Sequence, residues 1–310
     1  MGKIIVTCGD PNGIGVEIFL KTIERIDFSS QLVFVGNKNI LEYYSKLLNL
    51  KSPDIEIIDV DSDYTLSPGK IEKVNGKFSA KCIETGVSLI KKGYGKALVT
   101  LPLCKENFRE SGYRFEGHTD FLRFLTNSEK TMMMFYSPSF SVVLHKIHIP
   151  LIKVFKHINR EEIETNIEFA YKEILNKLNP KKPEIFICGL NPHAGENGHI
   201  GKEDFEIKKA AKQLESKGLP VKGVFPSDTL FSKLKENPDQ IVYAMYHDQG
   251  LIGIKTKHPQ KSVNITLGLP FLRLSVSHGT AFDIAGKGIA DYNNLLYVLL
   301  TTKKLLGRGI

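Results

Sequence analysis

The 310-residue chain has no tryptophan, only four cysteines and no long apolar run, and its seven arginines are outnumbered by thirty-five lysines. Each shortage excludes something. Cys8, Cys82, Cys104 and Cys188 lie far apart and form no C-x-x-C pair, which argues for free thiols in a reducing cytosol. The longest uncharged apolar stretch, TMMMFYSPSFSVVL at 131–144, is too short for a bilayer and is broken by Pro138. Residues 1–10, MGKIIVTCGD, reach an acid at Asp10 and lack the apolar core of a signal peptide. Val6 stands where N-myristoylation wants Ser or Thr. No membrane attachment and a cytoplasmic location are therefore expected. The net charge of +8 is spread over helical stretches such as KKAAKQLESKG (208–218) and forms no basic stripe. Together with the lack of tryptophan and of aromatic clusters, this speaks against nucleic-acid binding. It leaves solvated helix faces with a mild pull on anionic substrates.

What is present is the composition of a globular protein, 42% hydrophobic and 25% charged, in a chain long enough for one large or two ordinary domains. Short β-branched or apolar runs recur at 3–8, 31–36, 55–60, 96–101, 131–136, 184–190, 241–246, 263–268 and 272–277. Turn residues and longer amphipathic segments separate them. The clearest helix spans 160–178, where Ile163, Ile167, Ala170, Ile174 and Leu178 step onto one face. Others are expected at 79–92 and 293–306. Alternation of this kind predicts an α/β protein with a largely parallel sheet, built as two packed α/β/α domains. We expect 1–125 with 285–310 to form the first and 126–284 the second. No repeat, low-complexity tract or long linker interrupts the pattern.

Five groups of residues carry chemistry. TCGDPNGIGVEI (7–18) follows the first strand and opens a helix. Its Gly13 and Gly15 permit close backbone approach to an anion at the helix N-terminus. The third glycine of a dinucleotide fingerprint is missing, and a simple strand-to-helix turn explains the stretch equally well. EGHTDFL (116–122) offers an imidazole, His118, and a hydroxyl, Thr119; the bland alternative is Thr119 as an N-cap and a surface histidine. His148 in KIHIPL, His193 in GLNPHAGENGHIG (189–201) and His247 in MYHDQG stand beside strands, where α/β sheets collect catalytic groups. Three neutral imidazoles suit Zn²⁺ or Co²⁺ and leave a coordination position open for substrate. No H-x-H or H-E-x-x-H spacing links them, and each alone is more often structural. Lys255, Asn264 and Arg273 are anion-binding candidates, since an arginine on a buried-looking strand suits bidentate contact with phosphate or carboxylate. A structural ion pair is the alternative for Arg273. Finally, HGTAFDIAGKGIAD (278–291) is a small-residue loop suited to lying against a flat ring or a ribose, with Asp283 available for hydroxyls.

In order and spacing these stretches, with SDTLF at 227–231, resemble the 4-hydroxythreonine-4-phosphate dehydrogenase family over nearly the whole chain. The first and last motifs also resemble those of isocitrate and isopropylmalate dehydrogenases, so the implied fold is isocitrate/isopropylmalate dehydrogenase-like. The resemblance implies oxidation of 4-phosphooxy-L-threonine by NAD⁺ or NADP⁺. Loss of CO₂ then gives 3-amino-2-oxopropyl phosphate, in pyridoxine 5'-phosphate biosynthesis. It implies His148, His193 and His247 as ligands of a divalent ion (Zn, Co or Mg). His118, Thr119, Lys255, Asn264 and Arg273 would bind the phosphorylated substrate. Gly279, Thr280, Asp283 and Gly286 would meet the coenzyme. A homodimer with an active site shared between subunits is implied as well. Within that frame Asp228 is the candidate for proton transfer or site orientation, with Lys255 the alternative acid. Asn191 and Glu196 would orient neighbours, and His199 would pack or face water.

The chain departs from the family pattern in three places. GHTD replaces GHTE, so Asp120 is the shorter carboxylate. Lys146 and Ile147 replace two threonines before His148, with an extra His145. TLPLCKE (100–106) replaces T-A-P-x-x-K-E. None removes a proposed ligand. The rival readings are a paralogue that oxidises another phosphorylated hydroxy acid, such as a four-carbon sugar acid phosphate, or a non-phosphorylated diol. A phosphate acyltransferase of the same fold is a third, and it would need neither three metal-binding histidines nor the 278–291 loop.

Overall fold

The apolar runs at the start of the chain are unbroken rather than alternating, and Ile4–Val6, Leu32–Val35 and Ala97–Val99 are all buried. Burial at successive positions requires cover on both faces of a sheet, which is the condition of parallel strands joined by helices. The computed structural model, which describes residues 2–308, bears this out. The chain divides into two units, Met1–Thr131 with Leu269–Ile310, and Met132–Gly268.

In the first unit the elements run β1 (Lys3–Thr7), α1 (Gly15–Ile23), β2 (Leu32–Gly36), α2 (Lys38–Leu48), β3 (Glu56–Asp59), α3 (Lys73–Lys91), β4 (Gly95–Thr100), α4 (Lys105–Glu110) and α5 (His118–Thr126). The second unit continues with β5 (Met132–Tyr136), β6 (Ser141–Leu144), α6 (Leu151–Val154), α7 (Arg160–Leu178), β7 (Glu184–Cys188), α8 (Glu203–Ser216), β8 (Val221–Phe225), α9 (Ser227–Lys233), β9 (Gln240–Ala244), α10 (His247–Lys257) and β10 (Val263–Leu267). The chain returns to the first unit with β11 (Leu272–Ser275) and α11 (Asn293–Leu306).

The first unit's strands lie in the order β3-β2-β1-β4-β11, every pair parallel. The second unit's order is β10-β5-β6-β9-β7-β8; β5 is antiparallel to both of its neighbours and the remaining pairs are parallel. The division falls at 131/132 and 268/269, whereas the sequence placed it at 125/126 and 284/285. The reason is β11, which pairs with β4 from Leu272↔Ala97 to Ser275↔Thr100 and so carries Arg273 into the first unit.

Two strands escaped the sequence reading. β6 is only SVVL, following closely on the apolar run of β5. β8 is an edge strand, VKGVF, in which Lys222 is exposed and only Val221 is fully buried, so it lacks an apolar run. α7 matches its expected span, because Asn159 caps it by accepting the Glu162 N–H at 2.8 Å and Asn179 ends it in the left-handed region.

α3 begins six residues before the expected start at Ser79, since its first turns bury Asn75 and Gly76, which carry no apolar signal. The Asn75 side chain bonds the Thr65 backbone in both directions. A Cβ at Gly76 would stand 2.1 Å from the Asn107 carbonyl oxygen on α4. Gly76→Ala should therefore cost about 1–3 kcal/mol by overpacking, read as a lower urea midpoint at unchanged slope. An unchanged midpoint would mean that α4 yields freely.

Candidate active site

In the second unit three parallel neighbours, β6, β9 and β7, end side by side, and each releases one of the candidate histidines. Leu144 of β6 is in register with Ala244 of β9, and the His145 N–H bonds the Ala244 carbonyl at 2.8 Å. The segments that follow carry His148 and His247 out together, and their rings lie 5.8 Å apart between centroids. Gly250 helps, because α10 lies so close to β6 that a Cβ there would meet Val142 at 2.6 Å and Leu144 at 2.7 Å. His247 opens α10 after Tyr246, not the end of a strand as its sequence context implied, and its Nδ1 lies 2.6 Å from Asp248 Oδ1. His148 is exposed on left-handed backbone, φ 48°.

His145, the extra histidine, is occupied elsewhere. Its Nε2 faces the His157 carbonyl at 2.9 Å and must carry the hydrogen. Its Nδ1 then accepts from the Tyr243 hydroxyl at 2.6 Å and the Asn166 amide at 3.1 Å. It is buried, and both nitrogens are used in bracing the segment that leads to His148, so it is no ligand.

The stretch GLNPHAGENGHIG holds a conformation that sequence alone did not suggest. Pro192–Gly198 forms a tight turn, and His193, Ala194, Gly195, Glu196 and Asn197 all have φ between 42° and 76° with ψ between −2° and 55°. Four of the five are not glycine, so the left-handed backbone costs roughly 1–2 kcal/mol at each. Strain held at this density is characteristic of functional sites. His193 is exposed on this turn, His199 and Glu196 are also exposed, and the Asn191 amide donates to Glu203 and Asp204. Asp204 and Gln249, whose amide donates to the Gly189 carbonyl at 2.6 Å, are the residues here that sequence reasoning missed.

Among the described residues no group of three or more His, Cys, Asp or Glu is arranged to hold a metal ion, so His193 does not complete a triad with His148 and His247 within one chain. Two imidazoles bound tetrahedrally through nitrogens at 2.0–2.1 Å would have centroids about 5 Å apart, close to what is observed. The four cysteines are buried thiols, pushed up by burial, with Cys188 at about 12, and offer no competing ligand or nucleophile.

Asp228 lies exposed in the first turn of α9, beyond the C-terminal end of β8. Lys255 is exposed in the last turn of α10, about 12 Å along the helix from His247 of the same chain. Asn264 sits half-buried on β10 and its Oδ1 is shielded from solvent without a partner.

The first unit holds the other anion candidates. Arg273 is buried on β11 and donates to the Thr100 hydroxyl at 2.6 Å; burial pushes its guanidinium down to about 9. His118 Nε2 is also shielded without a partner. Burial first, then the positive fields of Arg273 and Lys105, holds that imidazole well below its usual value. Lys105, which the sequence reading passed over, runs beside Gly117, its Cε 3.6 Å from where a Cβ would stand. Orphaned buried polar atoms cost about 1–3 kcal/mol each, and His118 and Asn264 each carry one. The expected cap is corrected. Gly117, not Thr119, is the N-cap residue of α5, because only glycine adopts its φ of 156° freely, and Thr119 lies half-buried in the first turn.

The 278–291 loop is tied down by the first motif. The Ile14 N–H bonds the Thr280 carbonyl at 2.9 Å, and a Cβ at Gly13 would meet Thr280 at 3.0 Å. Buried Glu17 accepts from the N–H groups of Gly288 and Ala290, while Lys21 donates to both of their carbonyls. The opening motif is thus a clamp for the loop. Gly279 and Asp283 face solvent, Thr280 is half-buried, and Gly286 takes φ 77° against Pro68.

The His145 network has a measurable consequence. Burial depresses its imidazole to about 4, against about 6.5 when unfolded. The folded state therefore binds fewer protons between these values. The stability this contributes, roughly 3 kcal/mol, is complete above pH 6.5 and lost as pH falls towards 4. Denaturation of wild type and His145→Gln at pH 7 and 4.5 should show the stability gap between them narrowing by most of that amount. A constant gap would refute the assignment.

Comparison with known proteins adds the family. The sequence pattern described as pyridoxal phosphate biosynthetic protein PdxA matches residues 21–300. The chain is 37% identical to a putative D-threonate 4-phosphate dehydrogenase of Oceanobacillus iheyensis, with 95% of each chain covered. It is 35% identical to 4-hydroxythreonine-4-phosphate dehydrogenase of Colwellia psychrerythraea, again with 95% of each covered. It also superposes on the crystal structure of the Klebsiella pneumoniae 4-hydroxythreonine-4-phosphate dehydrogenase with a TM-score of 0.85 at 33% identity, covering 98% of this chain and 99% of that one. With most of its length matched by the family pattern, and full-length relatives well above 30% identity, the chain belongs to the PdxA family of pyridoxal phosphate biosynthetic proteins.

Proposed function

We propose that this protein is a metal-dependent dehydrogenase that oxidises the secondary alcohol of 4-phosphooxy-L-threonine with NAD⁺ or NADP⁺ and releases CO₂ to leave 3-amino-2-oxopropyl phosphate. The observation that carries the reading is the pairing of His148 and His247 at the ends of two adjacent parallel strands, at a separation suited to one ion. His193 leaves the neighbouring strand β7 as the third ligand. In the homodimer that the family resemblance implies, the metal site would be shared between the two subunits. A divalent ion held there by the imidazoles would supply Lewis-acid polarisation of the substrate oxygen, and a nicotinamide coenzyme held by the 278–291 loop would serve as the hydride acceptor.

The remaining work falls to the chain's own groups. Arg273, His118 and Thr119 bind the anionic substrate in the first unit, and Arg273, already desolvated, needs no reorganisation to do so. Asn264 presents its Oδ1 to a substrate donor, and Lys255 adds a cation. Asp228 takes the hydroxyl proton as the hydride departs, and Lys255 is the alternative proton donor to the carbon that loses CO₂. Gly279, Thr280, Asp283 and Gly286 line the coenzyme loop, with Asp283 reaching ribose hydroxyls from its exposed position.

A second reading, oxidation of D-threonate 4-phosphate or another four-carbon sugar acid phosphate, is favoured by the 37% identity to a relative bearing that description. Turnover on 4-phosphooxy-L-threonine and D-threonate 4-phosphate, with each coenzyme, decides between them. Whichever substrate wins, chelation should abolish coenzyme reduction and Zn²⁺, Co²⁺ or Mg²⁺ should restore it. Full turnover after complete metal removal would sink the mechanism.

A further inference from the structure

We propose that Asp204 is the positioning residue for His193, its buried carboxylate holding the left-handed turn Pro192–Gly198 so that the imidazole is presented before any metal arrives. This rests on the reading that His193 is a ligand. The turn places His193, Ala194, Glu196 and Asn197 in backbone conformations that L residues avoid, and left to itself such a segment would relax.

Asp204 opposes that relaxation. It stands in the first turn of α8, 1% exposed, where the helix N-terminus favours a negative charge. Its Oδ1 accepts the Leu190 N–H at 2.8 Å. Its Oδ2 accepts the Asn191 N–H at 3.1 Å and the Asn191 side-chain amide at 2.8 Å. The glycines of the stretch make room for it. A Cβ at Gly189 would stand 2.6 Å from Oδ1, and one at Gly195 2.9 Å from the Asp204 Cβ. Gln249, in the first turn of α10, braces the same segment, accepting the Met245 N–H at 2.7 Å while donating to the Gly189 carbonyl at 2.6 Å. A charged acceptor gripping three N–H groups in a buried setting is stronger than neutral bonds of the same number. Asp204 thus acts through the backbone of Leu190 and Asn191 on the orientation of His193.

The test uses the whole protein and Co²⁺ as its probe. Asp204→Asn keeps one acceptor but turns the other into an NH₂ that faces at least one N–H donor, so the turn is released without a change in side-chain volume. The Co²⁺ dissociation constant should rise about 10- to 100-fold. The visible Co²⁺ spectrum should shift towards that of His193→Ala, while the far-ultraviolet circular dichroism stays that of the wild type. Asn191→Ala, which removes one arm of the grip, should move both readouts the same way by less, and it serves if Asp204→Asn does not fold. Wild-type Co²⁺ affinity and spectrum in both variants, with His193→Ala impaired, would overturn the positioning role and leave the ligand in place. Wild-type affinity in His193→Ala would instead overturn the ligand assignment, and the proposal with it.

Discussion

Left-handed backbone at His148 and His193 of the second unit is the constraint on which the candidate site depends. His148 and the turn around His193 occupy conformations that cost energy for any residue with a Cβ. They persist because neighbouring buried groups over-determine them. For His193 these are Asp204, Asn191 and Gln249. For His148 they are His145, Tyr243 and Asn166, through the segment that joins β6 to His148. In both cases a polar network that never touches a ligand keeps an imidazole from collapsing onto the protein.

The same logic of pre-arrangement runs through the first unit by a different means. There the device is desolvation. Arg273 is buried, which pushes its guanidinium down to about 9, and burial with the positive field of Arg273 holds the His118 imidazole well below its usual value. The Glu17–Lys21 clamp on the 278–291 loop belongs to the same pattern, since it fixes a glycine-containing loop by its backbone and leaves Gly279 and Asp283 facing outward.

Parallel strand order explains why residues so distant in the chain emerge along one edge of the sheet. β6, β9 and β7 are adjacent and point the same way, so whatever follows each strand emerges at the same edge. His148, His247 and His193 are separated by dozens of residues in sequence, yet each is within five residues of a strand end. β8 continues the row, and Asp228 follows it by the same rule. Lys255 does not, being carried away from that edge along α10.

The amino-acid sequence by itself determined the α/β class, nine of the strands, the span of α7 and the family, because these depend on local periodicity and on residues whose type is the message. It also marked the histidines, Arg273 and Asn264, since reactive side chains in turn-rich contexts beside strands are visible without coordinates. Only the tertiary structure decided the rest. Edge strand β8 and the start of α3 carry weak apolar signals because burial there is one-sided or falls on Asn75 and Gly76. Asp204, Gln249 and Glu17 look like ordinary helix residues, and their roles come from hydrogen bonds that close across ten to more than two hundred residues of chain. Strand pairing brought His148 against His247 and moved Arg273 into the first unit. Such contacts depend on which surfaces meet, and no local pattern records that.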